Sequence, residues 1–412
     1  WYVFANCAGQ LARLRNFPET MAVFYRPDGT PLLPVNHDDS RDPDRLIQAD
    51  LARSLHMIAE QGPDAFYKGE IGQSIVKQLR AHGGIITTQD LADYAVQVRE
   101  PLYVDYRGKR VVMVPENTGG PTVSEALNIL ECFDLESHGH NTPTSLHLIA
   151  EACRMAFSDR LAYLADTQCA SVPLDGLQSK AYASERSRLI DPARGPVREP
   201  IGQPWAFQSD VRPAETPHSN WKRPSDGNTS HLSVIDREGN MVALTASLGR
   251  LFGSGVVASG TGIVLNNGTM WFDPKPGSVN SIGPGKRSIS ASTPTLVFDK
   301  EGPLMALGAP GGRKVITAVL QVTLNVLDYG LGMQDAISAP RIHCETGPLH
   351  ADVRLPADTI QSLRDIGHEI LMREESFLSS YFARPNGILI DRERGLLRGG
   401  AEPYKMATAI GF

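Results

Sequence analysis

Cysteine is scarce in this sequence, and its spacing argues against two common kinds of site. The 412 residues include five cysteines, an odd number, with no Cys-x-x-Cys pair. They are Cys7, Cys132, Cys153, Cys169 and Cys344. This spacing argues against a disulfide framework and a zinc site, and it indicates buried reduced thiols. Unpaired cysteines favour a cytoplasmic location; a periplasmic or secreted one stays open, because the sequence does not begin with methionine and a signal segment could have been removed.

Long apolar runs and excess positive charge are also lacking. No apolar run approaches the roughly 18 residues that a membrane-spanning helix needs. The net charge is -6 and the pI is near 6.0, so no basic surface is expected to attract phosphates. We therefore expect neither nucleic acid nor a membrane as a partner. The composition, 41% hydrophobic and 21% charged, is that of a globular chain with a large core and more than one lobe.

The periodicity of apolar residues changes along the chain. Helical spacing dominates the first half, where Thr87 and Asp90 form a predicted capping box. From about Leu174 to Asp226 the periodicity fades, which predicts a long exposed connection. After Asn228 the period becomes two: "SHLSVID" and "MVALTAS", joined by "REGN", predict a hairpin, and "KVITAVLQVTLNVLDYG" predicts a later helix. This order predicts layers of mixed helix and strand.

Several motifs, in order, resemble one family. The second half contains "SIGPGKRSISASTPTLVF" and "LGAPGGRKVITAVLQVTLNVLDYG", and the first half contains "GPDAFYKGEI", "GGIITTQDLADY" and "GGPTVSEALNILECFDL". Together they resemble the γ-glutamyltransferase family of N-terminal nucleophile hydrolases. The resemblance implies an α+β fold, a four-layer αββα sandwich with a helical lobe, made as a precursor that cleaves itself. Residues 1–228 would be the large-subunit part, without its N-terminal segment, and residues 229–412 the small subunit.

The resemblance makes Asn228 and Thr229 the processing site, with Thr229 as the nucleophile. Before cleavage the nitrogen of Thr229 is an amide and cannot accept a proton. Once freed, an α-amine with a pKa of about 8 can act as a base near neutral pH, so nucleophile and base belong to one residue. The β-branch of threonine restricts χ1 and helps to hold the hydroxyl in place. No histidine is then required as a base, and the chemistry needs no metal or other cofactor.

Other residues match positions of the family's motifs, and the resemblance implies their roles. Ser247 stands where the family has a threonine that hydrogen-bonds the nucleophile, and it retains a hydroxyl. Gly311 and Gly312 match the pair whose backbone amides form the oxyanion hole, and glycine allows the close approach that this role needs. Ser290 matches one of two serines that contact the substrate carboxylate.

At two positions where the family has residues that bind the substrate, this sequence has different residues. Gly249 stands in place of an asparagine, and Trp271 in place of the aspartate that holds the α-ammonium of a glutamyl group. An indole offers only a cation–π contact to such an ammonium. Asp273, placed on the same side as Trp271 by strand alternation, is an alternative partner. Arg250 and Arg313 are candidates to bind an acidic acyl group.

These residues predict a self-processing hydrolase or acyltransferase that cleaves a γ-glutamyl or related amide of a small molecule through an acyl-enzyme on Thr229. One alternative is a cephalosporin-type acylase or natural-product-pathway enzyme with a non-glutamyl acyl group. Another is a catalytically silent scaffold or binding protein of the same fold. The large and small subunits of one precursor would be partners, and further oligomerisation is left open.

Overall fold

The computed structural model describes residues 2–34, 42–198, 200–209, 228–376 and 381–411. The chain divides into two compact units. Unit 1 comprises Trp1–Val98 and Leu248–Gly268; unit 2 comprises Arg99–Ser247 and Thr269–Phe412. These units do not follow the expected division at residue 228, because strand β3 runs through that position. The expected division concerns subunits made by cleavage, and it stays a prediction.

Helices make up most of unit 1 and one layer of unit 2. The α-helices are α1 (Tyr2–Leu14), α2 (Pro18–Phe24), α3 (Ala49–Gln61), α4 (Asp64–Tyr67), α5 (Glu70–Ala81), α6 (Thr88–Ala92), α7 (Gly120–Leu130), α8 (Leu135–His138), α9 (Pro143–Tyr163), α10 (Leu174–Gln178), α11 (Lys180–Ser187), α12 (Lys314–Leu327), α13 (Met333–Ser338) and α14 (Ala357–Asp365). The predicted capping box is confirmed at the start of α6, where the side chains and backbone amides of Thr87 and Asp90 bond reciprocally. None of the helices in the described residues has the length and hydropathy needed to cross a bilayer.

The strands form sheets of different sizes. They are β1 (Leu102–Tyr106), β2 (Lys109–Met113), β3 (Asn228–Ile235), β4 (Met241–Gly249), β5 (Val257–Ala258), β6 (Ile263–Val264), β7 (Thr295–Asp299), β8 (Gly302–Gly308), β9 (Ile342–His343), β10 (Leu349–Asp352), β11 (Ile370–Arg373), β12 (Asn386–Asp391) and β13 (Leu396–Ala401). The largest sheet has the order β1-β2-β7-β8-β12-β13, and every neighbouring pair in it is antiparallel.

The main core of unit 2 joins this sheet to three helices. All of α7 is buried, as are most residues of α9 and the first three turns of α12. Their apolar side chains form one cluster with inward residues of the sheet such as Val111, Val297 and Leu307. Burial of apolar surface on this scale is the main force that holds these layers together. The start of α12 and the end of β8 are thereby fixed in position.

The predicted hairpin is confirmed as β3 and β4, which pair as a two-stranded sheet. It packs on the large sheet at β8 and β12. Asn386 Nδ2 donates to the carbonyl of His231, and a Cβ on Gly308 would lie 2.1 Å from the His231 ring. A side chain at position 308 would therefore prevent this packing. The fold has mixed helix and sheet content, as expected.

The prediction of an exposed connection over residues 174–226 was wrong in its first part. Residues 174–178 and 180–187 are α10 and α11, and Leu177 and Tyr182 are buried. Ser179 caps α11 by accepting from the backbone N–H of Tyr182. Helices of 5 and 8 residues are too short to give a clear periodic signal, which is why the pattern failed here. Residues 199 and 210–226 of this connection lie outside the described residues.

The cysteine prediction is confirmed in part. All five cysteines are free, and Cys7, Cys153 and Cys344 are buried. Burial raises the pKa of the Cys344 thiol to about 12, so this thiol is inert near neutral pH. Cys132 and Cys169 are exposed.

Candidate active site

A directed chain of hydrogen bonds links Thr229 to the peptide bond that precedes it. The hydroxyl of Thr229 donates to Oγ of Ser247 at 3.0 Å. The hydroxyl of Ser247 donates in turn to the carbonyl oxygen of Asn228, also at 3.0 Å. The bond between the two hydroxyls shows that Thr229 on β3 and Ser247 on β4 project from the same face of the hairpin. The predicted nucleophile, its supporting hydroxyl and the predicted scissile carbonyl are therefore in contact.

A small cavity of about 30 Å³ opens beside Thr229. It is lined by Thr229, Thr245, Ser247, Trp271, Ser290, Ala291, Ser292, Ala309, Gly312 and Val315. Five of the predicted site residues, Thr229, Ser247, Trp271, Ser290 and Gly312, thus line one cavity although they are far apart in the sequence. The lining is made of hydroxyl, apolar and aromatic groups, without a carboxylate among these residues.

The two predicted oxyanion glycines form the turn between β8 and α12. Their φ angles are 148° for Gly311 and 63° for Gly312, and both values favour glycine. A Cβ on Gly311 would lie 2.6 Å from the Cα of Ala383. The turn leads directly into the N-terminus of α12, where the helix dipole favours negative charge. Its geometry is thus suited to a developing oxyanion.

Arg313, predicted to bind substrate, has a protein partner. Its side chain is buried, and Nε donates to Oε1 of Glu345 at 2.9 Å. Nε2 of His343 lies 3.2 Å from the same oxygen. Burial alone would raise the pKa of Glu345, but the hydrogen bond and charge of His343 and the charge of Arg313 outweigh it and hold that pKa well below its usual range. These contacts anchor the residue that follows the glycine turn; a substrate role for Arg313 stays a prediction.

Ser290 lies on a loop that the protein holds from several sides. Its N–H donates to the carbonyl of Asn117 at 2.7 Å, and its carbonyl accepts from Nη2 of Arg160 at 2.5 Å. Its hydroxyl donates to Oγ of Ser292 at 3.0 Å. Ser290 and Ser292 therefore line the cavity from a backbone that is held in place.

Trp271 lines the cavity, but its local structure differs from the expectation. Residues 268–271 form a short 3-10 helix, so strand alternation does not relate Trp271 to Asp273. Asp273 is buried; its Oδ1 accepts from the N–H of Lys275 at 2.9 Å. The strand assumed at this place was wrong, and the role of Asp273 as an alternative partner stays a prediction.

Gly249, the last residue of β4, belongs to unit 1 and has a φ of 89°. A Cβ there would lie 3.1 Å from the carbonyl oxygen of Asn267. This backbone conformation gives a local reason for glycine. The predicted substrate role of Gly249 stays a prediction, as does that of Arg250, which also lies in unit 1.

Two residues near Thr229 were missed from the sequence. His231 hydrogen-bonds Thr245 Oγ1 at 2.8 Å and Ser233 Oγ at 3.0 Å, beneath the hairpin. Burial lowers its pKa to about 4, so the imidazole is neutral near pH 7. His231 lies two residues after Thr229, so strand alternation could have placed both side chains on the same face of β3. The second residue is Arg384, whose Nη2 donates to Oδ1 of Asn228 at 3.2 Å. Arg384 is far from Asn228 in the sequence, so no local sequence pattern indicates this contact.

One buried cluster in the described residues has the side chains of a metal site. Ligand atoms of His147, Glu151 and His368 lie within 4.8 Å of one another. Nδ1 of His147 hydrogen-bonds Nε2 of His368 at 2.7 Å, and Glu151 accepts from Arg154 Nε at 3.2 Å and from the N–H of Val197 at 2.6 Å. These bonds and the positive charge of Arg154 favour a structural role.

Known proteins resemble this chain along most of its length. The family model described as gamma-glutamyltranspeptidase matches residues 2–412. The glutathione hydrolase proenzyme of Escherichia coli (strain K12) is 37% identical, over 88% of this chain and 60% of its own. The Acylase ACY 1 proenzyme of Pseudomonas sp. (strain SE83) is 34% identical, over 93% of this chain and 65% of its own. The chain thus spans less than two thirds of the length of these curated relatives.

A solved structure extends the agreement to the fold. The crystal structure of cephalosporin acylase from Bacillus halodurans matches with a TM-score of 0.81 and 30% identity. The match covers 98% of this chain and 68% of that one.

Proposed function

We propose, from the premise that this chain belongs to the gamma-glutamyltranspeptidase family, that it is a self-processing amide hydrolase or acyltransferase. Thr229 would cleave the precursor before it and then carry the acyl group of a small-molecule amide. The observation that carries the proposal is the hydrogen-bond chain from the Thr229 hydroxyl through Ser247 to the Asn228 carbonyl. These hydrogen bonds join a nucleophile, the Thr229 hydroxyl, to an electrophile, the Asn228 carbonyl, through a proton relay, the Ser247 hydroxyl.

Self-cleavage follows from the direction of these bonds. Oγ1 of Thr229 attacks the carbonyl carbon of Asn228, its proton passes to Ser247, and the proton of Ser247 passes to the carbonyl oxygen. The adduct then breaks its C–N bond and transfers that proton to the departing nitrogen. An ester of Asn228 on Thr229 results, and water opens it to a carboxylate and a free α-amine.

Turnover would use the freed amine as the base for the same hydroxyl. The amine accepts the hydroxyl proton as Oγ1 attacks the substrate amide, and it protonates the leaving amine. Backbone N–H groups of the Gly311–Gly312 turn would stabilise the oxyanion, an interaction typically worth about 3 kcal/mol in the transition state. Water or an amine acceptor then takes the acyl group from Thr229.

The acyl group is the second part of the proposal. A γ-glutamyl group presents an α-ammonium, and the residues that line the cavity offer it Trp271 and hydroxyls in place of a carboxylate. This observation favours the second candidate, an acylase for a non-glutamyl acyl group. The names of the Pseudomonas and Bacillus halodurans relatives support the same reading.

We also propose the four-layer αββα arrangement and the two-subunit organisation. Helices α7, α9 and α12 form the first layer, the large sheet the second and the β3–β4 hairpin part of the third. The outer face of the hairpin supports a fourth layer, because Leu232, Val242 and Leu244 on it are 53%, 53% and 54% exposed. Apolar side chains on a sheet face are ordinarily covered by another layer.

Denaturing gel electrophoresis and N-terminal sequencing test the proposal and also the scaffold alternative. The wild-type protein should give a second polypeptide that begins with Thr229, and Thr229→Ala should give only the uncleaved chain and no turnover. Thr229→Ser keeps the hydroxyl and the future α-amine, so it should retain part of both activities. Full processing and normal turnover in Thr229→Ala would exclude this nucleophile, and an uncleaved, inactive wild type would favour a scaffold.

A further inference from the structure

A second row of hydrogen bonds crosses the hairpin, and its direction follows from its far end. Ser233 Oγ donates to the carbonyl of Asn386 at 3.4 Å, because a carbonyl can only accept. Since its one proton is used, Ser233 Oγ accepts from Nε2 of His231 at 3.0 Å. Burial lowers the pKa of His231 to about 4, so its ring carries a single proton near pH 7. Nδ1 of His231 is therefore bare, and it accepts from the Thr245 hydroxyl at 2.8 Å.

This row fixes what Thr245 can offer to a bound molecule. Thr245 lines the cavity beside Thr229. A threonine hydroxyl ordinarily rotates to donate or to accept. Because the proton of Thr245 is donated to His231, any further hydrogen bond that Thr245 makes is one that its oxygen accepts. Thr245 is therefore a fixed acceptor in the lining of the cavity.

The size and lining of the cavity suit a water molecule. Its volume of about 30 Å³ is close to the volume that one water occupies in the liquid, also about 30 Å³. A buried water usually makes two to four hydrogen bonds. Half of the ten lining residues carry hydroxyls that can make them: Thr229, Thr245, Ser247, Ser290 and Ser292. Once the acyl group of Asn228 has moved to Oγ1 of Thr229, the ester carbon lies next to this space.

We propose that this cavity binds the water that opens the ester between Asn228 and Thr229, and that Thr245 orients this water by accepting a hydrogen bond from it. The inference rests on the proposed function and adds two residues to it. Thr245 contacts the reacting water, and His231 is a positioning residue that acts through Thr245. A water that donates to Thr245 keeps its lone pairs for the carbonyl carbon, whereas a water that accepts from a donor has one lone pair engaged.

The two protons of the water then have separate destinations. As the water oxygen bonds to the carbonyl carbon of Asn228, the α-amine of Thr229 takes one proton. The bond between that carbon and Oγ1 of Thr229 breaks, and the ammonium returns the proton to Oγ1. The second proton, which pointed to Thr245 during the attack, stays on the new carboxyl group of Asn228 and is lost to solvent.

Competition between two nucleophiles for the ester measures how well the protein orients the water. The chain would be translated in vitro with a fixed concentration of hydroxylamine, and mass spectrometry of the fragment that ends at Asn228 would give the ratio of hydroxamate to carboxylate. Hydroxylamine attacks esters without help from a protein, so this ratio reports the reactivity of the water and does not depend on how fast the ester forms. Thr245→Val keeps the side-chain shape without its oxygen, and Thr245→Ser keeps the hydroxyl. Thr88→Val is the matched control, because it makes the same change at an exposed threonine of α6.

Thr245→Val should raise the ratio of hydroxamate to carboxylate by about two- to tenfold, the effect of one lost hydrogen bond. Thr245→Ser and Thr88→Val should give the wild-type ratio. An unchanged or lower ratio in Thr245→Val would overturn the proposal. A wild-type chain whose bond before Thr229 stays intact with and without hydroxylamine would instead refute the proposed self-cleavage.

The same ratio tests His231, because a purely structural role would leave the ratio unchanged. His231→Leu removes the acceptor for the Thr245 proton and lets that hydroxyl rotate, so the ratio should rise as in Thr245→Val. His231→Gln can offer an amide oxygen to Thr245 and an N–H donor to Ser233, so it should restore part of the wild-type ratio. A wild-type ratio in His231→Leu would overturn the positioning role.

Discussion

Removal of the Ser247 hydroxyl is expected to slow self-cleavage. Ser247→Ala removes two hydrogen bonds of 3.0 Å, one accepted from Thr229 and one donated to the carbonyl of Asn228. At about 1 kcal/mol for each bond, the loss is about 2 kcal/mol, or roughly thirtyfold in rate if both bonds persist in the transition state. Ser247→Thr keeps the hydroxyl and should stay within a few-fold of the wild type.

A pulse-chase translation assay would follow this rate, because it gives the half-time for conversion of precursor to the polypeptide that begins at Thr229. Ser230→Ala is a matched control: Ser230 is the exposed residue next to Thr229 on the same strand. We expect it to be processed at the wild-type rate. A Ser247→Ala precursor that matures as fast as the wild type would refute the relay.

Three further changes address the oxyanion turn, the acyl pocket and the hairpin. Gly312→Val should lower kcat by about 10² to 10³, because a β-branched residue does not readily keep the φ of 63° at this turn and so displaces an oxyanion donor; a change in KM alone would mean that the turn only binds substrate. Trp271→Asp should raise the ratio of γ-glutamyl to glutaryl kcat/KM, and an unchanged ratio in anilide assays would contradict a role for Trp271 in selecting the acyl group. Burial lowers the pKa of His231 from 6.5 to about 4, so the stability contributed by its neutral form is present above pH 6.5 and is lost as the pH falls toward 4. In urea unfolding, the stability difference between wild type and His231→Gln should shrink across that range, and a constant difference would argue against this titration.

Local patterns predicted the elements around the site well. The hairpin of β3 and β4 followed from alternation on both sides of "REGN", and α12 followed from its helical period. The capping box at Thr87 needs only residues three apart, so the sequence displays it directly. Each of these features depends on neighbours in the chain.

The errors and omissions involve partners that are distant in sequence or patterns that are too short. Arg384 reaches Asn228 across 156 residues, and no local pattern could indicate that contact. Glu345 pairs with Arg313 in the same way, across 32 residues. The strand assumed at Trp271 was a 3-10 turn, because a few apolar residues do not distinguish the two.

Acyl-enzyme mapping tests the central claim most directly, namely that Thr229 is the nucleophile. The processed protein would be mixed with a slowly deacylating glutaryl or γ-glutamyl ester, quenched in acid and digested, and its peptides weighed by mass spectrometry. We predict an added acyl mass on the peptide that begins with Thr229, and none on any peptide of Thr229→Ala. A stable acyl group on another residue, or turnover in a protein whose bond between Asn228 and Thr229 stays intact, would contradict the account.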